Sequence, residues 1–222
     1  MIKVKEIRGL KYPDEYFTKF FFKNKLHKKS NLKYLEFGCG NGSNLMLPYQ
    51  YNNEVIGIDY DSLLVSDANY NFELLNGANF KFYADDMRES IKKQKDIKAD
   101  VFILASVIYY ISKNDFITFL KDTISNNNLN KNIPFYIRVR STKDFRYGYG
   151  RKINSNRYKM PKNSITGEGN AEIVFYTEYE ILSILKKYLN IKEYRVFNLD
   201  NQNEHNGEII LNSDIVIWGI IN

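Results

Sequence analysis

Three glycines within five positions constrain this chain more than any other feature. Gly38, Gly40 and Gly42 fall in the stretch YLEFGCGNGSN (Tyr34 to Asn44), directly behind an apolar run and an acid, Glu36. Glycine loses more backbone freedom on folding than any other residue, so it weakens regular structure wherever it is not needed. Three at alternate positions therefore imply a turn with unusual dihedrals, or a backbone that something must approach closely.

The segments around that turn alternate between strand-like and helix-like patterns. LKYLEFG reads as a short buried strand, and GSNLMLPYQY as the turn and a following helix. NEVIGIDYD is a second strand, followed by a helix through SLLVSDANYNFELLN; ANFKFYADDM is a third strand; ADVFILASVIYYI is a fourth, running into a loop. NDFITFLKDTISN is helical with apolar positions at Phe116, Phe119 and Leu120, and KNIPFYIRVRS is a fifth strand. TEYEILSILKKYL is an amphipathic helix opened by Thr177 and Glu180 in capping-box spacing. Two final strands, IKEYRVFNLD and SDIVIWGII, are joined by a polar loop with no helix, which predicts antiparallel pairing.

Strands alternating with helices give a mostly parallel sheet covered on both faces. The expected fold class is α/β: a doubly wound, seven-stranded sheet with an antiparallel last strand, in three α/β/α layers. One domain spans residues 1–222. It carries an N-terminal helical segment (1–30) and a substrate-binding lid inserted after strand five (141–176). In the first of these, Pro13 suits the first turn of a helix, with Asp14 and Glu15 near its positive end and lysines and His27 late in it. The aromatics Tyr16, Phe17, Phe20 and Phe21 form a stripe that predicts packing on the domain in preference to a membrane surface.

Apolar residues make up 44% of the chain, enough for a core and too many for wholesale disorder. The longest apolar run, Val101 to Ile111, is too short to span a bilayer, and MIKVKEIRGL shows no secretory cleavage pattern, so a cytoplasmic protein is expected. The single cysteine, Cys39, excludes an internal disulfide or a multi-cysteine zinc site, and no metal-ligand cluster stands out. A net charge of +6 is spread along the chain; it permits an anionic partner without demanding nucleic acid.

In a sheet of this kind, ligands bind at the carboxyl ends of the strands where the strand order reverses, which is where the glycine turn stands. Dinucleotide binders carry G-x-G-x-x-G, and this chain departs from that spacing at Ser43. The spacing E-x-G-x-G-x-G is met residue by residue, by Glu36, Gly38, Gly40 and Gly42. It resembles motif I of the class I S-adenosylmethionine (SAM)-dependent methyltransferases. The resemblance covers Tyr34 to Ile111 and the strand order, and it implies SAM as cofactor and S-adenosylhomocysteine (SAH) as product.

It also implies roles. Glu36, Gly38, Cys39, Gly40, Gly42 and Asn44 would form the turn around the methionine and ribose portions. Asp59, 19 residues after Gly40, would take the ribose hydroxyls, with Tyr60 flanking the adenine. Asp86 and Met87 would stand at the adenine edge, with Asp85 as a one-residue register alternative. Ala105, Ser106 and Val107 would lie beneath the cofactor. Cys39, small and between glycines, is no nucleophile.

The acceptor is narrowed by what is missing. ASVIYY stands after strand four where amino methylation of DNA bases uses D/N-P-P-Y/F/W, and no Pro-Cys nucleophile for cytosine is present. A small molecule is the expected acceptor. The long insertion, of a length typical of lids and binding elements, holds arginines and tyrosines suited to an anionic or sugar group. Arg138, Arg140, Arg146, Tyr147 and Arg151 are the substrate-binding candidates. Arg138 and Arg140 alternate on strand five and so share a face. Proton handling falls to Tyr109, Tyr110, Asp144 or His205. The pieces FRYGYG, TGEG and FYTEYE are similar to methyltransferases of bacterial surface polysaccharides, implying O-methylation of a nucleotide-activated sugar, a glycan or a phosphoramidate-type group. An RNA or protein methyltransferase, a non-catalytic SAM-binding relative and, more remotely, a dehydrogenase are the alternatives.

Overall fold

In a computed structural model describing residues 4–75, 77–93 and 97–222, the chain runs α1 (Glu15–Lys23), β1 (Lys33–Phe37), α2 (Met46–Gln50), β2 (Glu54–Asp59), α3 (Ser62–Leu74), β3 (Phe80–Ala84), α4 (Met87–Lys93), β4 (Val101–Ala105), α5 (Lys113–Ser125) and β5 (Ile133–Arg140). It continues through β6 (Arg151–Asn154), β7 (Arg157–Lys159), β8 (Glu172–Val174), α6 (Glu178–Leu189), β9 (Ile191–His205) and β10 (Glu208–Ile221). Residues 1–3 of the expected N-terminal segment and residue 76, at the end of the stretch expected as the helix after strand two, lie outside the described residues.

The main sheet has seven strands in the order β3-β2-β1-β4-β5-β10-β9. Pairing is parallel from β3 to β5, and β10 runs antiparallel to both its neighbours. The order reverses between β1 and β4, so the glycine turn that follows β1 opens on the crevice at this switch point.

Alternation along the strands builds a core on each face. Leu35, Phe37, Phe102, Phe135 and Ile137 point toward α5 and α6, meeting Phe116, Phe119, Leu120, Ile181 and Leu185. Tyr34, Val101, Ile103, Tyr136 and Trp218 point to the other face, against Phe17, Phe20 and Phe21 of α1 and Phe72 of α3. The three phenylalanines of α1 are fully buried, and Phe20 lies 5.6 Å from the Tyr136 ring. The aromatic stripe therefore packs on the sheet. Among the described residues no helix is long and apolar enough to cross a membrane.

Three local expectations are corrected. Pro13 does not open the helix: Asp14 is the N-cap, its carboxylate accepting from the Phe17 N–H, and Pro13 stands before it. The polar loop between the last strands is mostly strand, because Asn206 and Gly207 both take positive φ and form a two-residue hairpin turn, so pairing continues to His205 and Glu208. The insertion after strand five, in which no strand is expected from the sequence, contains a second sheet, β6-β7-β8, antiparallel throughout.

The capping box on α6 is formed in both directions: Thr177 Oγ1 accepts from the Glu180 N–H at 3.2 Å, and Glu180 Oε2 accepts from the Thr177 N–H at 3.1 Å. Thr177→Ala is expected to cost about 1 kcal/mol, a fall of roughly 2–4 °C in Tm for a domain of this size. An unchanged melting curve would show that the box contributes nothing.

Candidate functional site

All three glycines of the turn have positive φ: 71° at Gly38, 53° at Gly40 and 79° at Gly42. Gly38 has a second constraint, since a Cβ there would stand 2.4 Å from the Val107 Cβ. The turn is tied to the end of β2. Asp59 Oδ2 accepts from the Gly40 N–H at 2.8 Å and Oδ1 from the Asp61 N–H at 2.9 Å, which leaves lone pairs on each oxygen.

A crevice of about 530 Å³ opens over this turn. Of the residues expected at a cofactor, Gly38, Asp59, Tyr60, Asp85, Asp86, Met87, Ser106 and Val107 line it. Tyr60 is 83% exposed at the rim. Asp86 is bonded to Arg88, which holds its carboxyl below the usual range, and Asp85 pairs with Lys93 at 2.9 Å. Ser106 has φ 58° at the end of β4, a left-handed conformation costing on the order of 1–3 kcal/mol in a non-glycine residue. Its N–H is held by the Arg138 carbonyl at 3.0 Å.

Glu36, Cys39, Gly40, Gly42, Asn44 and Ala105 stand behind this lining. Glu36 is 1% exposed; its Oε1 accepts from Asn44 Nδ2 at 2.8 Å, while Oε2 has no partner among the described residues. Burial pushes its carboxyl up to about 8, against the relief from Asn44. Burial also pushes the Cys39 thiol well up, as expected of an inert small residue. Asn44 Oδ1 accepts in turn from the Asp14 N–H at 2.8 Å, so the start of α1 is fastened to the turn.

The polar residues at the carboxyl end of β5 are interlocked with Asp214, which the antiparallel β10 sets opposite Arg140. Arg138 donates twice to Asp214 Oδ2, at 2.9 and 2.5 Å, and also to Asp14, which accepts from the Tyr136 hydroxyl. Arg140 lies over the Tyr109 ring at 4.7 Å and donates to the Tyr109 hydroxyl at 3.2 Å and to Glu168 Oε1 at 3.3 Å. Arg146, 4% exposed, donates to Asp144 at 2.8 Å and Glu168 Oε2 at 2.5 Å.

Of the four residues expected to handle protons, Tyr109 and Tyr110 lie together with ring centroids 4.5 Å apart, Asp144 is linked to Tyr110 through Arg146 and Glu168, and His205 stands apart. Tyr110 lines the crevice, and its hydroxyl donates to Glu168 Oε1 at 3.4 Å; desolvation, then Tyr109 and Glu168, push its phenol up. Tyr109 is buried beneath Arg140. Asp144 is 3% exposed and accepts from the Arg146 guanidinium and from the Arg146 and Ser213 N–H groups, which makes it an anchor between insertion and sheet. His205 is exposed at the hairpin tip, carried there by the unexpected length of β9. Tyr147 packs on Tyr158 and Phe175 inside the insertion, and Arg151 is exposed on β6.

Sequence reasoning missed Ile58, Asp61, Leu64, Arg88 and Ile111 on the crevice wall. Asp61 and Leu64 carried a signal: an acid just past strand two caps α3, its carboxylate accepting from the Leu63 N–H at 2.8 Å, and Leu64 follows one turn on. Among the described residues, no group of three or more His, Cys, Asp or Glu side chains is placed to hold a metal ion.

Residues 28–138 match the family described as methyltransferase domain, half of the chain. No curated protein matches the chain in sequence. Solved structures with a similar fold include a SAM-dependent methyltransferase from Methanosarcina mazei, 15% identical with a TM-score of 0.62, the match covering 90% of this chain and 98% of that one. Another is the N-methyltransferase NodS from Bradyrhizobium japonicum in complex with SAH, 14% identical, TM-score 0.60, covering 93% and 86%. A third is the magnesium protoporphyrin IX methyltransferase from Synechocystis with bound SAM, 15% identical, TM-score 0.53, covering 91% and 76%. At these identities the likeness is one of fold. The family match spans β1 to β5 and contains the glycine turn, Asp59 and the acids after β3, and on it the chain belongs to the methyltransferase-domain family.

Proposed function

We propose that the protein binds SAM in the crevice over the glycine turn and transfers its methyl group to an oxygen of a small acceptor. One observation carries the reading: Asp59 is fixed by the backbone of the turn yet keeps free lone pairs on the crevice wall. A carboxylate so held can accept from two vicinal hydroxyls. The remaining walls suit the rest of the cofactor. Ile58, Leu64 and Met87 offer apolar contact for an adenine, and the Oε2 of Glu36, unpartnered among the described residues, lies behind the turn.

When bound, SAM supplies a methyl group already activated by its sulfonium. The work left to the chain is to orient the acceptor and exclude water. Proton removal finds little help among the candidates: the Tyr110 phenol is pushed up and holds its proton at neutral pH, Asp144 is filled by donors, and His205 is at the hairpin tip. An acceptor oxygen that is already ionised needs no base. This favours a carboxylate- or phosphate-type acceptor, in keeping with the polysaccharide-type resemblance of the insertion.

Calorimetric titration with SAM, SAH and NAD tests the class. SAM and SAH should bind and NAD should not; NAD binding alone would sink the reading. Asp59→Ala should weaken SAM binding at least tenfold, since the ribose hydroxyls lose their acceptor. Unchanged affinity would mean that the cofactor does not use β2.

A further inference from the structure

We propose that Glu168 is a displaceable internal anion, held on Arg140 at the place where an oxyanion of the acceptor binds. The proposal rests on the methyltransferase reading and names the chemistry of its second substrate, a carboxylate or phosphate-type group.

Arg138 and Arg140 differ sharply in how their donors are met. Arg138 is gripped by Asp214 and Asp14. The Arg140 side chain is only 11% exposed, yet its bonds are long, 3.3 Å to Glu168 and 3.2 Å to Tyr109, and its buried Nε has no hydrogen-bond partner among the described residues. Asp214 Oδ1 lies 3.9 Å from that Nε, beyond hydrogen-bond reach, because the other oxygen is committed to Arg138. A buried guanidinium with an unmet donor carries a penalty that a better-placed oxyanion removes.

Charge points to the same residue. The interlocked group holds three guanidiniums, Arg138, Arg140 and Arg146, against four carboxylates, Asp14, Asp144, Asp214 and Glu168. Asp14, Asp144 and Asp214 are each built into α1 or the sheet by backbone or strand pairing. Glu168 alone belongs to the loop between β7 and β8, beside Gly167, whose φ is 76° and whose Cβ position is open. If Glu168 leaves, the guanidiniums and carboxylates balance, and one acceptor anion replaces the lost charge. Arg146 would still hold Asp144 and Asn212. Tyr110 joins Glu168 to the crevice wall, so the vacated place adjoins the proposed cofactor site.

The test uses the full chain with SAH present, titrated with inorganic phosphate and separately with acetate, and read by NMR of the arginine Nε–H groups. Glu168→Gln removes the competing charge, and phosphate or acetate should bind it at least tenfold more tightly than the wild type. The largest shift should fall on the Arg140 Nε–H, assigned by its loss in Arg140→Lys. Glu168→Asp, which keeps the charge but shortens its reach, should lie between and serves if the Gln variant folds poorly. Tighter phosphate identifies a phosphate-type acceptor and tighter acetate a carboxylate; either supports the proposal. Equal affinities in wild type and both variants, or shifts away from Arg140, overturn it while SAH binding keeps the methyltransferase reading intact. Absence of SAH binding would overturn both.

Discussion

Gly38→Ala is expected to lower stability by about 2–5 kcal/mol, from two separable costs. A non-glycine residue at φ 71° costs roughly 1–2 kcal/mol. The new methyl group would also stand 2.4 and 2.5 Å from Cβ and Cγ2 of Val107, an overlap of the kind that costs about 1–3 kcal/mol to relax. At roughly 2–4 °C per kcal/mol, Tm should fall by about 4–20 °C. Gly40→Ala is the control, because its φ of 53° brings the backbone cost while no heavy atom lies within 4 Å of the added Cβ. Adding Val107→Ala to Gly38→Ala removes the Cγ2 overlap but keeps the Val107 Cβ at 2.4 Å, so it should recover only part of the steric share and leave the backbone share. Equal losses for Gly38→Ala and Gly40→Ala by thermal unfolding would show that close approach to Val107 plays no part.

The same residues show what could be read from the chain beforehand. The glycine turn was legible because its reasons are local: positive φ and a strand end belong to residues adjacent in sequence. The seven strands of the main sheet followed from the alternation of strand-like and helix-like segments, with β1, β4 and β5 largely apolar, and their order came with the family resemblance. Pairing partners across the sheet were less legible. Asp14 looked like a helix-dipole acid, yet it meets Tyr136 and Arg138 more than a hundred positions away. Arg138 and Arg140 were correctly placed on one face, but whether an arginine is committed or available depends on Asp214 and Glu168, on two other segments. His205 stands at the hairpin tip for a smaller reason. Asn206-Gly207 is a strong hairpin signal, and the polar residues before it hid the continuation of β9.

Glu36 provides the other large effect, and it is one of pH. Its carboxyl is raised by burial from 4.5 to about 8, so between those values the folded protein holds a proton that the unfolded chain has lost. The stabilisation from that proton is complete below pH 4.5 and is lost as pH rises to about 8. At about 1.4 kcal/mol per tenfold change in proton affinity, the whole interval is worth on the order of 5 kcal/mol. Glu36→Gln, which keeps an acceptor for Asn44 and cannot ionise, should unfold at a temperature far less dependent on pH over this range. It should be the more stable protein at pH 8. Parallel pH profiles for the two would sink the assignment of the proton to Glu36. The same proton is linked to the proposed cofactor. A ligand ammonium reaching the unpartnered Oε2 would favour the carboxylate, so SAM binding at pH 7 should release up to one proton from the wild type and none from Glu36→Gln. Calorimetry in buffers of unlike ionisation enthalpy counts that proton. Equal release by both would place Glu36 in the support of the turn alone, with the ammonium held elsewhere.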